Sequence, residues 1–113
     1  MSRDDAYLLD ILDAARLALQ YVRGKTRDQF LEDVQLQDAV IRRLAIIGEA
    51  ARRVSEPTRL AHATLPWHDM VGMRNIVIHE YDDVDLDVVW DAVARDLEPL
   101  IAALQAAIPP PLP

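Results

Sequence analysis

Apolar residues recur at intervals of three and four along almost the entire chain, and this period constrains the fold more than any other feature. Leu8, Leu9, Ile11, Leu12, Ala15, Leu19 and Val22 make one such stripe, and Leu36, Ala39, Val40, Leu44, Ile47, Ala50, Ala51 and Val54 make a second. A third runs from Trp67 through Met70, Val71 and Met73 to Ile76 and Val77; a fourth runs from Leu86 through Val89, Trp90, Val93, Leu97, Leu100 and Ile101 to Leu104. A 3.6-residue period places each set on one side of a helix, and each side must be buried against another. The spacing predicts an all-α antiparallel helical bundle without strands. Scarce glycine (3 residues) and few aromatics (5%) favour helix over sheet in the same way.

Local signals punctuate the stripes. Ser2 with Asp5, and Thr26 with Gln29, have capping-box spacing, and Gly24 supplies the left-handed residue that ends a helix. Ser55-Glu56-Pro57 closes the second long helix, which is expected from about Gln35 to Val54, and Glu56 to Thr64 reads as a connector with one helical turn. Pro66 suits the first turn of the next helix. Gly48, inside a helix at a cost of about 1 kcal/mol relative to alanine, predicts a close approach by another helix backbone. Phe30, the one Phe, is expected to plug the core, and Trp90 to join it. Pro99 lies within the fourth stripe, so a kink is expected there without a stop. Residues 1–108 are expected to form one domain and the Pro-rich 109–113 a disordered tail.

Composition narrows function. The net charge is −7, which disfavours broad electrostatic binding to nucleic acid, so any such role needs a local basic patch. With no cysteine, disulfides and thiolate metal sites are excluded. No long apolar run or signal-like amino terminus occurs, and a cytoplasmic protein without membrane contact is expected. Phosphate-binding glycine loops, nucleophile elbows and zinc-binding His-Glu-x-x-His are also missing from the sequence. His62 and His68 read as ordinary histidines. The acids Asp82, Asp83, Asp85 and Asp87 are better explained by capping, with Asp85 as N-cap of the last helix, than by a cation site.

The chemistry concentrates in Arg74-Asn75-Ile76-Val77-Ile78-His79-Glu80-Tyr81. On a helix, Asn75 and His79 stack one turn apart opposite the apolar arc of Met70, Met73, Ile76 and Val77, with Arg74 at the border of that polar side. Ile78 and Tyr81 project off the core arc and predict a further buried contact, as in a two-fold dimer. Histidine serves as acid or base near neutrality, and a guanidinium presents forked donors to phosphoryl oxygens. Asn75 could orient a phosphate or cap a local backbone group. Glu49 is either a solvated charge or a carboxylate holding Arg74. Arg42, Arg43, Arg52 and Arg53 are either a phosphate-facing stripe or, more ordinarily, a solvated face.

The pattern Arg-x-x-x-x-His-x-Tyr, preceded by Pro66-Trp67-His68-Asp69-Met70-Val71-Gly72-Met73, resembles the HepT family of HEPN-superfamily toxins. The stretch Asp38 to Ala50, with Ile47-Gly48-Glu49-Ala50, resembles that family's second long helix, and the likeness extends from about Phe30 to Leu100. The resemblance implies a metal-independent, cofactor-free RNase toxin of a prokaryotic toxin-antitoxin system, with Arg74 and His79 catalytic at a homodimer interface and Asn75 and Glu49 supporting. It also implies a minimal nucleotidyltransferase antitoxin of the MntA kind as partner, which would attach AMP to Tyr81. An alternative of a different class is a noncatalytic HEPN module that only binds such a nucleotidyltransferase.

Overall fold

A computed structural model describes residues 2–78 and 85–108, and gives the backbone alone for 76–78. Its helices are α1 (Arg3–Val22), α2 (Arg27–Glu32), α3 (Val34–Arg53), α4 (Glu56–Ala61), α5 (Trp67–Ile78), α6 (Leu86–Asp91) and α7 (Leu97–Ala107), with a π-helical turn over Ala92–Asp96 joining α6 to α7. The described residues contain no strand, and the fold is the all-α bundle that the apolar period predicts.

The helix starts follow the local chemistry. Ser2 and Asp5 exchange side-chain-to-backbone bonds, as do Thr26 and Gln29, so both boxes are complete. Each satisfies donors that a helix start leaves open. Asp33 closes α2 and opens α3: its own N–H donates to Phe30 O while its carboxylate accepts from Leu36 N. Gln37 then reaches back from the buried side of α3 and donates to the Phe30 and Leu31 carbonyls at 2.9 and 3.1 Å, which fixes the angle of that turn. Gly24 has φ 76°, a left-handed value that costs glycine nothing. Asp85 accepts from Asp87 N and Val88 N and is the N-cap of α6, as expected. Pro66 sits one position before its expected place: α5 begins at Trp67, and the Pro66 carbonyl accepts its first bond, from Met70 N.

Side-chain contacts define the directions of the long helices. Asp4, at the start of α1, accepts from Ser55 N (3.1 Å), Ser55 Oγ (2.5 Å) and Thr58 Oγ1 (2.6 Å), just past the end of α3. α1 and α3 are therefore antiparallel. These three donors also hold the Asp4 carboxyl below its ordinary value of 3.8, the Ser55 hydroxyl contributing most. Arg59 on α4 donates to the Ala51, Arg52 and Val54 carbonyls and lies over the Trp67 ring at 5.6 Å. The start of α5 is thereby tied to the end of α3, so α5 returns antiparallel along it. At its other end α2 is joined to α6 by an Arg27–Asp87 ion pair.

The apolar sides meet as the stripes require. Ile11 and Ala15 of α1, Val40, Leu44 and Ile47 of α3, Met70 of α5, and Leu97 and Leu104 of α7 are fully buried. A side chain of the size of Leu, Ile or Met gains roughly 1.5–3 kcal/mol by such burial, so these few positions outweigh all the caps together. Phe30 is fully buried, with its ring 5.5 Å from that of Trp90. Trp90 itself is only half-buried, since its other side borders a surface groove beside Leu19, Arg23 and Lys25. The last helix does continue past Pro99, and its irregularity is the π turn just before that residue. Proline lacks the N–H for an α-helical bond and its ring crowds the carbonyl four residues back, here Arg95; a widened turn makes room for it. No helix among the described residues is long and apolar enough to cross a membrane.

Candidate active site

The site is built on the crossing of α3 and α5. A methyl placed on Gly48 would lie 2.6 Å from the Arg74 nitrogen and 2.9 Å from its Cα, nearer still to its Cβ. Only a residue without a side chain lets the two backbones pass at this point. The close approach brings the first atoms of the Arg74 side chain onto the surface of α3 next to Glu49. Arg74 Nε stands 2.7 Å from Glu49 Oε1. The arginine side chain is 28% exposed and the glutamate 40%, so a charged pair sits at the rim of the helix seam.

Nε–H is buried and does not point along the line to the carboxylate, so the contact is chiefly an ion pair. Partly exposed pairs contribute about 0.2–1 kcal/mol, too little to matter for stability. The consequence is orientation: Glu49 occupies the Nε side of the guanidinium, and among the described residues no acceptor takes its terminal nitrogens. The two terminal nitrogens of a guanidinium make a fork able to bond two phosphate oxygens in parallel. Glu49 is partly exposed and contacts Arg74, the neighbour that one of its two readings names. Glu49 has a second cation, Arg53 Nη2 at 3.6 Å, one turn later on α3. The i, i+4 spacing carried that signal in the sequence.

Asn75 follows Arg74 and is exposed, with no described hydrogen bond. His79 and Tyr81 lie outside the described residues, as does the side chain of Ile78, so the inferred buried contact around them does as well. The four arginines of α3 separate: Arg42, Arg52 and Arg53 are exposed, whereas Arg43 is half-buried, with its Nε enclosed and unbonded. Arg43 shares its side of the helix with Ile47 and Ala50, both buried, so its stem is packing material. Exposed His68 and half-buried His62, whose carbonyl accepts the Trp67 indole N–H, remain apart from the site. The described residues hold no group of three His, Cys, Asp or Glu arranged for a metal. Asp85 and Asp87 are engaged in capping and in the pair with Arg27, while Asp82 and Asp83 lie outside the described residues.

Comparison with known proteins agrees with the motif. The family model described as ribonuclease HepT-like matches residues 11–107. A Thermococcus cleftensis protein named "Probable ribonuclease HepT" is 39% identical over 94 residues, covering 83% of this chain and 86% of its own length. A Methanocaldococcus jannaschii protein named "Putative RNase" is 37% identical over 99 residues, covering 86% of this chain and 91% of its own. A second protein of that organism, named "Gamma-glutamylcyclotransferase and putative RNase", is 40% identical over 94 residues; the match covers 83% of this chain but 42% of that longer protein. No solved structure matches the chain. With the family model spanning both helices of the Gly48–Arg74 crossing, this chain belongs to the ribonuclease HepT-like family.

Proposed function

We propose that this protein is an endoribonuclease that cleaves RNA without a metal ion, through Arg74 and His79 brought together with a second copy of the chain, and that it acts as the toxin of a toxin-antitoxin pair. One observation carries the reading: Arg74 is anchored at a glycine-enabled helix crossing and paired with Glu49 on its Nε side, with no acceptor among the described residues at its terminal nitrogens. The names of the relatives support the substrate class.

The reaction needs three services. A base removes the 2′-hydroxyl proton as that oxygen attacks the adjacent phosphorus; an acid protonates the departing 5′-oxygen; a cation stabilises the charge growing on the phosphoryl oxygens. The P–O5′ bond breaks as the P–O2′ bond forms, leaving a 2′,3′-cyclic phosphate and a 5′-hydroxyl. Histidine, titrating near neutrality, is suited to either proton transfer, and Arg74 supplies the cation. A single His79 cannot be base and acid in the same step, which is the reason for a homodimeric cleft holding two. Asn75, exposed beside Arg74, is placed to orient the phosphate.

The partner in this reading is a nucleotidyltransferase antitoxin that transfers AMP from ATP to the Tyr81 hydroxyl and releases pyrophosphate. The added phosphate competes with RNA for Arg74, and the nucleoside obstructs the cleft. Incubating the purified protein with RNA beside its Arg74→Ala and His79→Ala variants tests the activity. Cleavage by wild type alone, with helicity unchanged in both variants, is expected; equal cleavage by all three preparations defeats the roles given to Arg74 and His79, and cleavage by none leaves a noncatalytic binding module. Co-expression with the nucleotidyltransferase should add AMP mass to Tyr81 and none to Tyr81→Phe, and neutralisation of both proteins without added mass would mean simple masking.

A further inference from the structure

On the reading just given, RNA must be held by a chain whose net charge is −7, and Arg74 alone cannot do so. α3 carries two more arginines on the side of Glu49. Arg42, Glu49 and Arg53 are seven and four residues apart, which places them within about 40° of one another around α3, with axial steps of about 10 and 6 Å. Arg42 and Arg53 are exposed. Arg53 touches Glu49 only at 3.6 Å, longer than a hydrogen bond, and no described carboxylate pairs with Arg42. Glu49 thus stands between Arg74 and Arg53 as a shared counter-ion; on this side of α3 the described acids are Glu49 and the exposed Asp38, one turn before Arg42, which no ion pair joins to it.

We infer that the Arg42–Arg53 line of α3 is a second RNA-binding subsite, which grips the phosphates flanking the scissile one and delivers the strand to Arg74. It reads no bases, since guanidinium–phosphate contacts position a strand without specifying it. Glu49 stays on the Nε side of Arg74 and releases Arg53 to a flanking phosphate. The loose Arg53 contact yields readily, because an exposed pair one helical turn apart is weak.

The test is binding and cleavage of a single-stranded RNA by wild type, Arg42→Gln, Arg53→Gln and the double variant, with Arg16→Gln, an exposed arginine of α1, as a control for net charge. A non-cleavable copy of the RNA, with deoxyribose at each position, separates binding from chemistry. Each subsite substitution should weaken binding roughly three- to tenfold. Each should also make the slope of log affinity against log salt shallower by about 0.7, the value for one lost phosphate contact on a single strand. The cleavage rate at saturating RNA should stay within twofold, and Arg16→Gln should behave as wild type. If wild type binds and cleaves RNA while the double variant has unchanged affinity and slope, the subsite is wrong and the catalytic reading stands. If Arg16→Gln weakens binding as much as Arg53→Gln, the effect is general charge and the subsite is again refuted. If wild type neither binds nor cleaves RNA, both fall, and retention of an acidic protein partner by wild type but not the double variant would reassign the line.

Discussion

Gly48→Ala isolates the helix crossing on which the site depends. In the middle of a solvent-facing helix this change stabilises by about 0.5–1 kcal/mol, because glycine has more freedom to lose. Here the new methyl would lie 2.6 and 2.9 Å from Arg74 backbone atoms, which cannot rotate aside as a side chain can. α5 must move away from α3, and overpacking of this kind costs about 1–3 kcal/mol. The net is a loss of about 1–2 kcal/mol, or a melting temperature lower by roughly 5–10 °C for a domain of this size. Gly72, in α5, meets nothing within 4 Å, so Gly72→Ala should be neutral or raise the melting temperature. Thermal unfolding followed by circular dichroism reads both. RNA cleavage by Gly48→Ala should fall further than its loss of folded fraction accounts for, since the shift carries Arg74 off Glu49. A Gly48→Ala protein as stable and as active as wild type would refute the close crossing and the placement of Arg74 drawn from it.

Two other contacts give independent expectations. The Asp4 carboxyl is held below its ordinary value of 3.8 by Ser55 and Thr58, so its contribution is present above that pH and is lost as pH falls through the lowered folded value. Asp4→Asn should therefore melt below wild type at pH 6, and the difference should narrow in acid beneath pH 3.8; a constant difference would mean that charge is not what holds α1 to the end of α3. Arg59→Ala removes three bonds to the last carbonyls of α3 and the cover over Trp67, and should cost about 1–2 kcal/mol in denaturant unfolding, with Arg59→Lys restoring only part because an ammonium lacks the planar fork. Full rescue by lysine would reduce the contact to simple charge at a helix end.

What the sequence revealed and what it concealed divide along the range of the interactions. The caps at Ser2, Thr26 and Asp85 and the turn at Gly24 use partners within three residues, so spacing alone identified them. Gly48 was legible because a glycine inside an apolar stripe breaks helix propensity without ending the helix, and packing is what such a cost offsets. Asp4 and Arg59 were not legible, since their partners lie 51 residues away in one case and are backbone carbonyls in the other. A kink was expected at Pro99, and the irregularity described is a π turn over Ala92–Asp96, ahead of that residue, which no residue spacing marks. Ten-residue spacing made the arginine pairs of α3 look equivalent, yet Arg43 falls on the flank shared with Ala50 and Ile47 while Arg42 and Arg53 face outward. The rank of Glu49 rose only with Arg74 seen across the seam, for the sequence offered a solvated charge as an equal reading.

The most direct test of the central claim is the chemistry of the ends that the protein leaves on a defined RNA in the presence of EDTA. Mass spectrometry of the products should show 2′,3′-cyclic phosphate and 5′-hydroxyl termini in undiminished yield with wild type, and none with Arg74→Ala or His79→Ala. Cleavage that stops in the chelator and otherwise leaves 3′-hydroxyl ends would contradict the account, since water activated by a metal would then be the nucleophile in place of the RNA's own 2′-hydroxyl.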